Sequence, residues 1–244
     1  MKIGIFGYGE IGSSIEKIYK DFDNYEIKIK DLERDDGFES IEVLNACIPY
    51  SKNFIKIVSE EIKKFNPKLT IIHSTMEPET TLEISNLISE KYSIVHSPVR
   101  GMHPNLYKGI KVFVKYIGGN TKESRNEAKK HLESLGINVK VFDKSTTTEL
   151  GKLLDTTYYG LAIAWHGEMK KLCDKYKLNF EEVTTDFNKT YNEGYKKLGK
   201  DNVVRPVLFP PINNKIGGHC IITNAKILGE NFDSKALDLI FKYS

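Results

Sequence analysis

The chain opens on a short β-rich run, Lys2-Ile3-Gly4-Ile5-Phe6, and passes at once into Gly7-Tyr8-Gly9-Glu10-Ile11-Gly12. Glycines in the spacing GxGxxG, behind a strand and at the head of an amphipathic stretch, leave few folds open. The first glycine permits the tight turn, the second lets a pyrophosphate approach the backbone, and the third lets the helix lie against the strand. The helix N-terminus then presents free N–H groups and the positive end of its dipole to phosphate. Gly7, Tyr8, Gly9, Glu10, Ile11 and Gly12 are therefore expected to hold a dinucleotide. Asp31 closes the next predicted strand, Glu26–Lys30. A carboxylate there accepts hydrogen bonds from both adenine-ribose hydroxyls and repels a 2′-phosphate, which favours NAD over NADP. Arg34 nearby softens that preference. S-adenosylmethionine, serving methyl transfer on the same kind of fold, is the alternative ligand.

The rest of the N-terminal part keeps the same rhythm. Predicted strands cover Lys2–Phe6, Glu26–Lys30, Val43–Ile48, Leu69–His73 and Ser93–His96, with helices over Ile11–Lys20, Lys52–Phe65 and Pro78–Lys91. A further unit, Val112–Ile117, Lys122–Leu135 and Asn138–Phe142, would extend the sheet. Such alternation implies an α/β fold with a doubly wound parallel sheet. Thr147 to Lys177 changes character: Leu150, Leu153, Leu154, Leu161, Trp165 and Leu172 fall near helical spacing and predict one long central helix. A second helix is expected from about Phe180 to Leu198, then a Pro/Asn/Gly-rich loop over Lys200–Gly218 and a short helix over Ser234–Lys242. The expected organisation is a dinucleotide-binding domain over 1–143 and a mainly helical substrate and dimerisation domain over 144–244.

Composition narrows the class further. A net charge of +3 with Lys and Glu interspersed gives no basic stripe for nucleic acid. No apolar run approaches the length of a membrane span. Cys47, Cys173 and Cys220 are far apart, with no CxxC pair, against a disulfide framework or structural zinc. His73, His96 and His103 fall near predicted strand ends, but their spacing is not that of a metal site, and no metal is expected. The chain shows no signal-peptide pattern and reads as cytoplasmic.

Several segments resemble the UDP-glucose/GDP-mannose dehydrogenase family, within the 6-phosphogluconate-dehydrogenase-like group. They are Asn45-Ala46-Cys47-Ile48-Pro49, His73-Ser74-Thr75-Met76-Glu77-Pro78-Glu79-Thr80-Thr81, Ser97-Pro98-Val99-Arg100, Glu149-Leu150-Gly151-Lys152-Leu153-Leu154-Asp155-Thr156 and Ile216-Gly217-Gly218-His219-Cys220-Ile221. Their order runs along nearly the whole chain. The resemblance implies NAD-linked oxidation of a sugar-nucleotide alcohol, with Cys220 as the nucleophile that captures an aldehyde. It also implies Lys152 as the lysine on the reacting oxygen and Thr75 beside the nicotinamide, with His219 next to the cysteine. Ile48, Pro49, Ser74 and Thr75 would line the cofactor. Arg100, His103, Thr156, Arg205, Gly217 and Gly218 would face an anionic substrate, and the long helix would pair two copies into a homodimer.

The chain also departs from the family pattern. Val99, His103 and Asn224 stand where the family carries carboxylates, Thr156 replaces an asparagine, and Ile222 replaces a proline. The family's second Rossmann domain has no counterpart, so the chain reads as truncated and divergent. Two outcomes are consistent with this: an altered dehydrogenase using Lys152 as acid/base on an alcohol, as related β-hydroxyacid dehydrogenases use a helix lysine, or a non-catalytic dinucleotide-binding protein.

Overall fold

A computed structural model describes residues 1–244 apart from Glu90 and the side chain of His219. The chain divides into two compact units, Met1–Lys152 and Leu153–Ser244, the division falling inside one long helix.

The first unit is built on eight strands: β1 Lys2–Phe6, β2 Glu26–Asp31, β3 Arg34–Asp35, β4 Val43–Ala46, β5 Leu69–Ile72, β6 Ser93–His96, β7 Lys115–Gly118 and β8 Val139–Phe142. They form one sheet in the order β3-β2-β1-β4-β5-β6-β7-β8. The helices are α1 Glu10–Lys20, α2 Phe54–Phe65, α3 Thr80–Leu87, α4 Leu106–Val112 and α5 Lys122–Ser134. Strand β5 shows why the central runs are mainly apolar: Leu69 and Ile71 enter one core, Ile72 the other. A strand covered on both faces has no polar side to display. One core joins Ile3, Ile5, Ile71 and Val95 to Ile15 and Ile18 of α1, Leu106 and Ile110 of α4, and Ala128 and Leu132 of α5. The other joins Leu44, Ala46, Ile72 and Ile94 to Phe54, Val58 and Ile62 of α2 and Ile84 of α3. The sheet is thus doubly wound.

The sheet is parallel, as expected, except at two places. Strand β3 is a two-residue strand antiparallel to β2, a local return held by Arg34 and Asp36, which bond side chain to side chain at 2.7 Å. More consequentially, β7 runs antiparallel to β6, and the two share a single register pair, His96 with Gly118. Strands β7 and β8 are parallel to each other. Helix α4 was not expected; it occupies the connection between β6 and β7, a run of only 7 residues with Gly109 at its centre.

The long helix, α6, spans Ser145–Lys175. In the second unit, a π-helical turn at Glu181–Thr185 runs into α7, Asp186–Lys197. The Pro/Asn/Gly-rich segment is a loop with one 3-10 turn at Ile212–Asn214. Helix α8, His219–Gly229, was also unexpected, because its β-branched Ile221, Ile222 and Thr223 weaken the helical signal. Helix α9 covers Lys235–Phe241. The unit's core joins Leu153 and Ala164 of α6 to Ile221, Ala225 and Leu228 of α8 and Leu237, Ile240 and Tyr243.

Candidate functional site

The glycine loop follows from steric limits at two positions. Gly7 has φ +93°, and a Cβ there would lie 2.7 Å from the Ile48 backbone nitrogen. A Cβ on Gly12 would collide with the Gly7 carbonyl oxygen. Gly9 is different: nothing lies within 4 Å of where its Cβ would be. The backbone there faces open space at the head of α1, whose N-terminus carries no side-chain cap. Uncapped N–H groups with room in front of them suit a phosphate.

Asp31 sits at the end of β2, and its Oδ2 accepts the Tyr8 backbone N–H. Its Oδ1 accepts the Leu32 N–H at 2.6 Å. The carboxylate is therefore fixed in orientation beside the glycine turn, with lone pairs left for a diol. Tyr8 turns the other way, its hydroxyl donating to Glu16 at 2.6 Å, while Arg34 lies 5.6 Å over its ring. The Glu10 carboxylate contacts His103 Nδ1, joining the first turn of α1 to the loop after β6.

Ile48, Pro49, Ser74 and Thr75 follow the ends of β4, which pairs with β1, and β5, which pairs with β4, at the carboxyl edge of these parallel strands. The Ser74 hydroxyl donates to the Ile48 carbonyl at 2.6 Å, tying these two segments together. Beneath them lies a buried polar layer. His73 Nδ1 is 3.1 Å from the Ser97 carbonyl and its Nε2 3.0 Å from Asn45 Oδ1. Burial holds this imidazole well below its usual pKa, so it is neutral and donates to one of the two. Tyr19 continues the layer, its hydroxyl 2.7 Å from His131.

Lys115 is the feature that sequence reasoning missed. It is 2% exposed, and its ammonium donates to the Ser97 carbonyl at 2.8 Å. Burial pulls its pKa down to about 7. A lysine inside the apolar run Val114-Lys115-Tyr116-Ile117 was the only available signal.

The first turns of α6 are locked into the first unit. Glu149, fully buried, accepts the Glu79 N–H at 2.6 Å and the Thr81 N–H at 2.9 Å at the start of α3. Thr148 Oγ1 lies 2.8 Å from His96 Nδ1, and His96 Nε2 lies 3.1 Å from the Ser74 carbonyl. Lys152, one turn beyond Thr148, is half-buried. Its charge adds to the effects of burial at both His96 and Lys115.

The remaining candidates divide between the units. In the first, Arg100 stacks 4.6 Å over Tyr116 and donates weakly to the Val114 carbonyl at 3.4 Å. In the second, Thr156 is half-buried on α6, and Gly217 and Gly218 lead into α8. Cys220, half-buried, lies in the first turn of α8. The His219 side chain is outside the described residues. Arg205 lies 4.2 Å over Tyr191, with its backbone pinned by Asn192 and a guanidinium nitrogen buried without a hydrogen-bond partner. Val99 is packed into the core, and Asn224, one turn after Cys220, is 4% exposed with an unpartnered amide nitrogen. Among the described residues no group of three His, Cys, Asp or Glu side chains could hold a metal ion.

Sequence comparison finds similar proteins. The chain is 27% identical over 190 residues to a UDP-N-acetyl-D-mannosamine dehydrogenase of Methanococcus maripaludis, covering 78% of this chain and 40% of the relative. It is 30% identical over 153 residues to the enzyme of that name from Methanococcus vannielii, covering 63% and 33%. The chain is thus similar in sequence to UDP-sugar dehydrogenases. It spans about two fifths of the length of such relatives. No family model matches it. Among solved structures, a UDP-D-ManNAc dehydrogenase from Pyrococcus horikoshii superposes with a TM-score of 0.78 at 20% identity, over 100% of this chain and 68% of that one. At that identity the likeness to this UDP-sugar dehydrogenase shows the fold alone.

Proposed function

We propose that the chain is an NAD-dependent oxidoreductase acting on an alcohol of a sugar nucleotide or a similar anionic substrate. What carries this reading is the pairing of an open, uncapped backbone at Gly9 with an oriented carboxylate at Asp31. Phosphate needs the first and a ribose diol the second. Gly7 to Gly12, Asp31, Ile48, Pro49, Ser74 and Thr75 would hold the dinucleotide, which supplies a hydride acceptor when bound.

The chain's own residues would handle the oxygen and the proton. The Lys152 amine would hydrogen-bond the substrate hydroxyl and take its proton at Nζ as the carbon is oxidised. Cys220 occupies the helix end where free N–H groups favour an anion, and its thiol would add reversibly across the aldehyde C=O, the thiol proton passing to the oxygen and returning to sulfur as the aldehyde is released. Arg100, His103, Thr156, Arg205, Gly217 and Gly218 would contact the substrate. A carboxylate to activate water for thioester hydrolysis is lacking at Val99, His103 and Asn224. A single two-electron oxidation therefore fits this chain better than a double one. That same lack favours the second reading, a dinucleotide-binding protein without turnover.

We further propose that two copies pair through α6, with a second copy covering Leu154, Tyr158, Trp165 and Leu172, all exposed in the isolated chain. Light scattering should give twice the chain mass; a concentration-independent monomer would refute it.

A thermal-shift series with NAD, NADP and S-adenosylmethionine, followed by absorbance of reduced cofactor with UDP-N-acetyl-D-mannosamine and UDP-glucose, tests the reading. NAD should protect, and Lys152→Ala should abolish turnover. Protection by S-adenosylmethionine alone would overturn the cofactor assignment. Protection by NAD without turnover on any alcohol would leave the binding-protein reading.

A further inference from the structure

The geometry points to His96 as a positioning residue: its imidazole, held between the Ser74 carbonyl and the Thr148 hydroxyl, fixes the Lys152 turn of α6 against the Ser74–Thr75 loop. The inference rests on the proposed roles of Thr75 and Lys152 and concerns only residues of the first unit.

Hydrogen-bond chemistry sets the ring's state. The Ser74 carbonyl can only accept, so His96 Nε2, 3.1 Å away, carries the proton. Burial takes the imidazole's pKa down to about 3, so the ring is neutral and Nδ1 is an acceptor. The Thr148 hydroxyl lies 2.8 Å both from Nδ1 and from the Ser145 carbonyl, and its single proton is shared between these two acceptors. One rigid ring thus spans from the loop after β5 to the first turns of α6. Neither end is loose. Ser74 is anchored to Ile48 at 2.6 Å, and Glu149, next to Thr148, is anchored to the start of α3 by two bonds. An apolar residue in place of His96 would fill the same volume and leave the Ser74 carbonyl without this donor. Packing alone does not account for a fully buried imidazole at the end of β6.

Lys152 follows Thr148 by four residues, so it projects from the same face of the helix one turn on. A shift of the Thr148 turn moves the Lys152 ammonium relative to Thr75 directly. Reaction geometry tolerates displacements well under 1 Å without large loss. A strut of this kind therefore acts on the chemical step and leaves dinucleotide affinity alone.

The test uses the full chain with His96→Phe, His96→Gln and Thr148→Val. The last removes one hydroxyl and keeps the fold if the ring variants do not. NAD affinity is measured by calorimetry, and kcat and KM with UDP-N-acetyl-D-mannosamine. Independently of turnover, the NMR resonance of 13C-dimethylated Lys152, assigned through Lys152→Arg, is followed during NAD titration. The expected result for His96→Phe and Thr148→Val is a kcat at least tenfold lower and an NAD dissociation constant within threefold of wild type. The Lys152 resonance should lose its response to NAD, and His96→Gln should recover part of it. Folded variants with wild-type kcat and an unaltered Lys152 response overturn the inference while the dehydrogenase reading survives. If wild type turns over no substrate, yet the Lys152 response to NAD depends on His96, the strut stands and the proposed reaction falls.

Discussion

The Glu149 carboxylate closes the open end of α3, accepting the Glu79 and Thr81 backbone N–H groups at 2.6 and 2.9 Å. Helix starts are usually capped by the residue that precedes them. Here that residue, Glu79, is left-handed at φ 74° and its side chain makes no cap. A side chain 70 positions away supplies the acceptor instead. Glu149→Ala should therefore lower unfolding free energy by about 2 kcal/mol, the scale for removing a charged acceptor from buried donors. Glu149→Gln should restore part of it, since one amide oxygen remains. Urea unfolding of the three proteins checks both statements.

Two of the fingerprint glycines, Gly12 and Gly9, should fail in different ways. Gly12→Ala places a methyl on the Gly7 carbonyl oxygen, so it should destabilise the fold by several kcal/mol, on the order of a backbone clash in a packed core. Gly9→Ala meets no protein atom and should melt within a degree or two of wild type. It should nonetheless weaken NAD binding at least tenfold, because the methyl occupies the space assigned to pyrophosphate. Equal effects of the two substitutions on melting would contradict the separation.

Asp31 should govern cofactor choice. Its two oxygens are already oriented by Tyr8 and Leu32 backbone donors, so its charge stays fixed at the end of β2. Asp31→Ser removes the repulsion toward a 2′-phosphate while Arg34 remains nearby. The ratio of NADP to NAD affinity, measured by calorimetry, should rise at least tenfold. An unchanged ratio would remove Asp31 from the ribose site.

Lys115 should leave a mark on stability between neutral and mildly alkaline pH. Its pKa is depressed in the fold to about 7 from 10.5. A depressed folded pKa contributes stability that is complete above the unfolded value and is lost as pH falls through the folded one. Wild type should gain about 2 kcal/mol between pH 7 and pH 9 relative to Lys115→Met, taking roughly 1.4 kcal/mol per unit of pH over most of that interval. Taking the difference cancels other titrations, including that of buried Cys47, whose thiol is pushed up to about 12. Parallel stability curves for the two proteins would rule out a depressed Lys115 pKa.

Much of the sheet was legible because its cores impose simple patterns. Ser93–His96 and Lys2–Phe6 emerge with the predicted bounds, since an apolar run ended by polar punctuation is what a doubly covered strand needs. The reversal at β7 was not legible: strand direction is set by the path of the connection, and α4 gave too short and too interrupted a signal to define that path. Helix α8 was hidden by β-branched residues, and the burial of Ile221 in one core with Leu153 and Ala164 overrides their propensity. The same division holds at the candidate site. The glycine loop and Asp31 could be read because local sequence spacing determines them. Lys115, His96 and Glu149 matter through partners 18, 52 and 70 positions away, and no local pattern reports such a pairing.

The reversal between β6 and β7 has a mechanical consequence. With one backbone pair joining the strands, the seam is closed largely by side chains: the Ser97 hydroxyl bonds the Tyr116 carbonyl at 2.7 Å, and the Lys115 ammonium bonds the Ser97 carbonyl at 2.8 Å. A ladder spreads load over many equivalent rungs; stitches of this kind concentrate it on two residues. The eight-stranded sheet thus behaves as two plates sewn along one line, and amide hydrogen exchange should run faster at Lys115–Gly118 than at Leu69–Ile72, which is laddered on both sides.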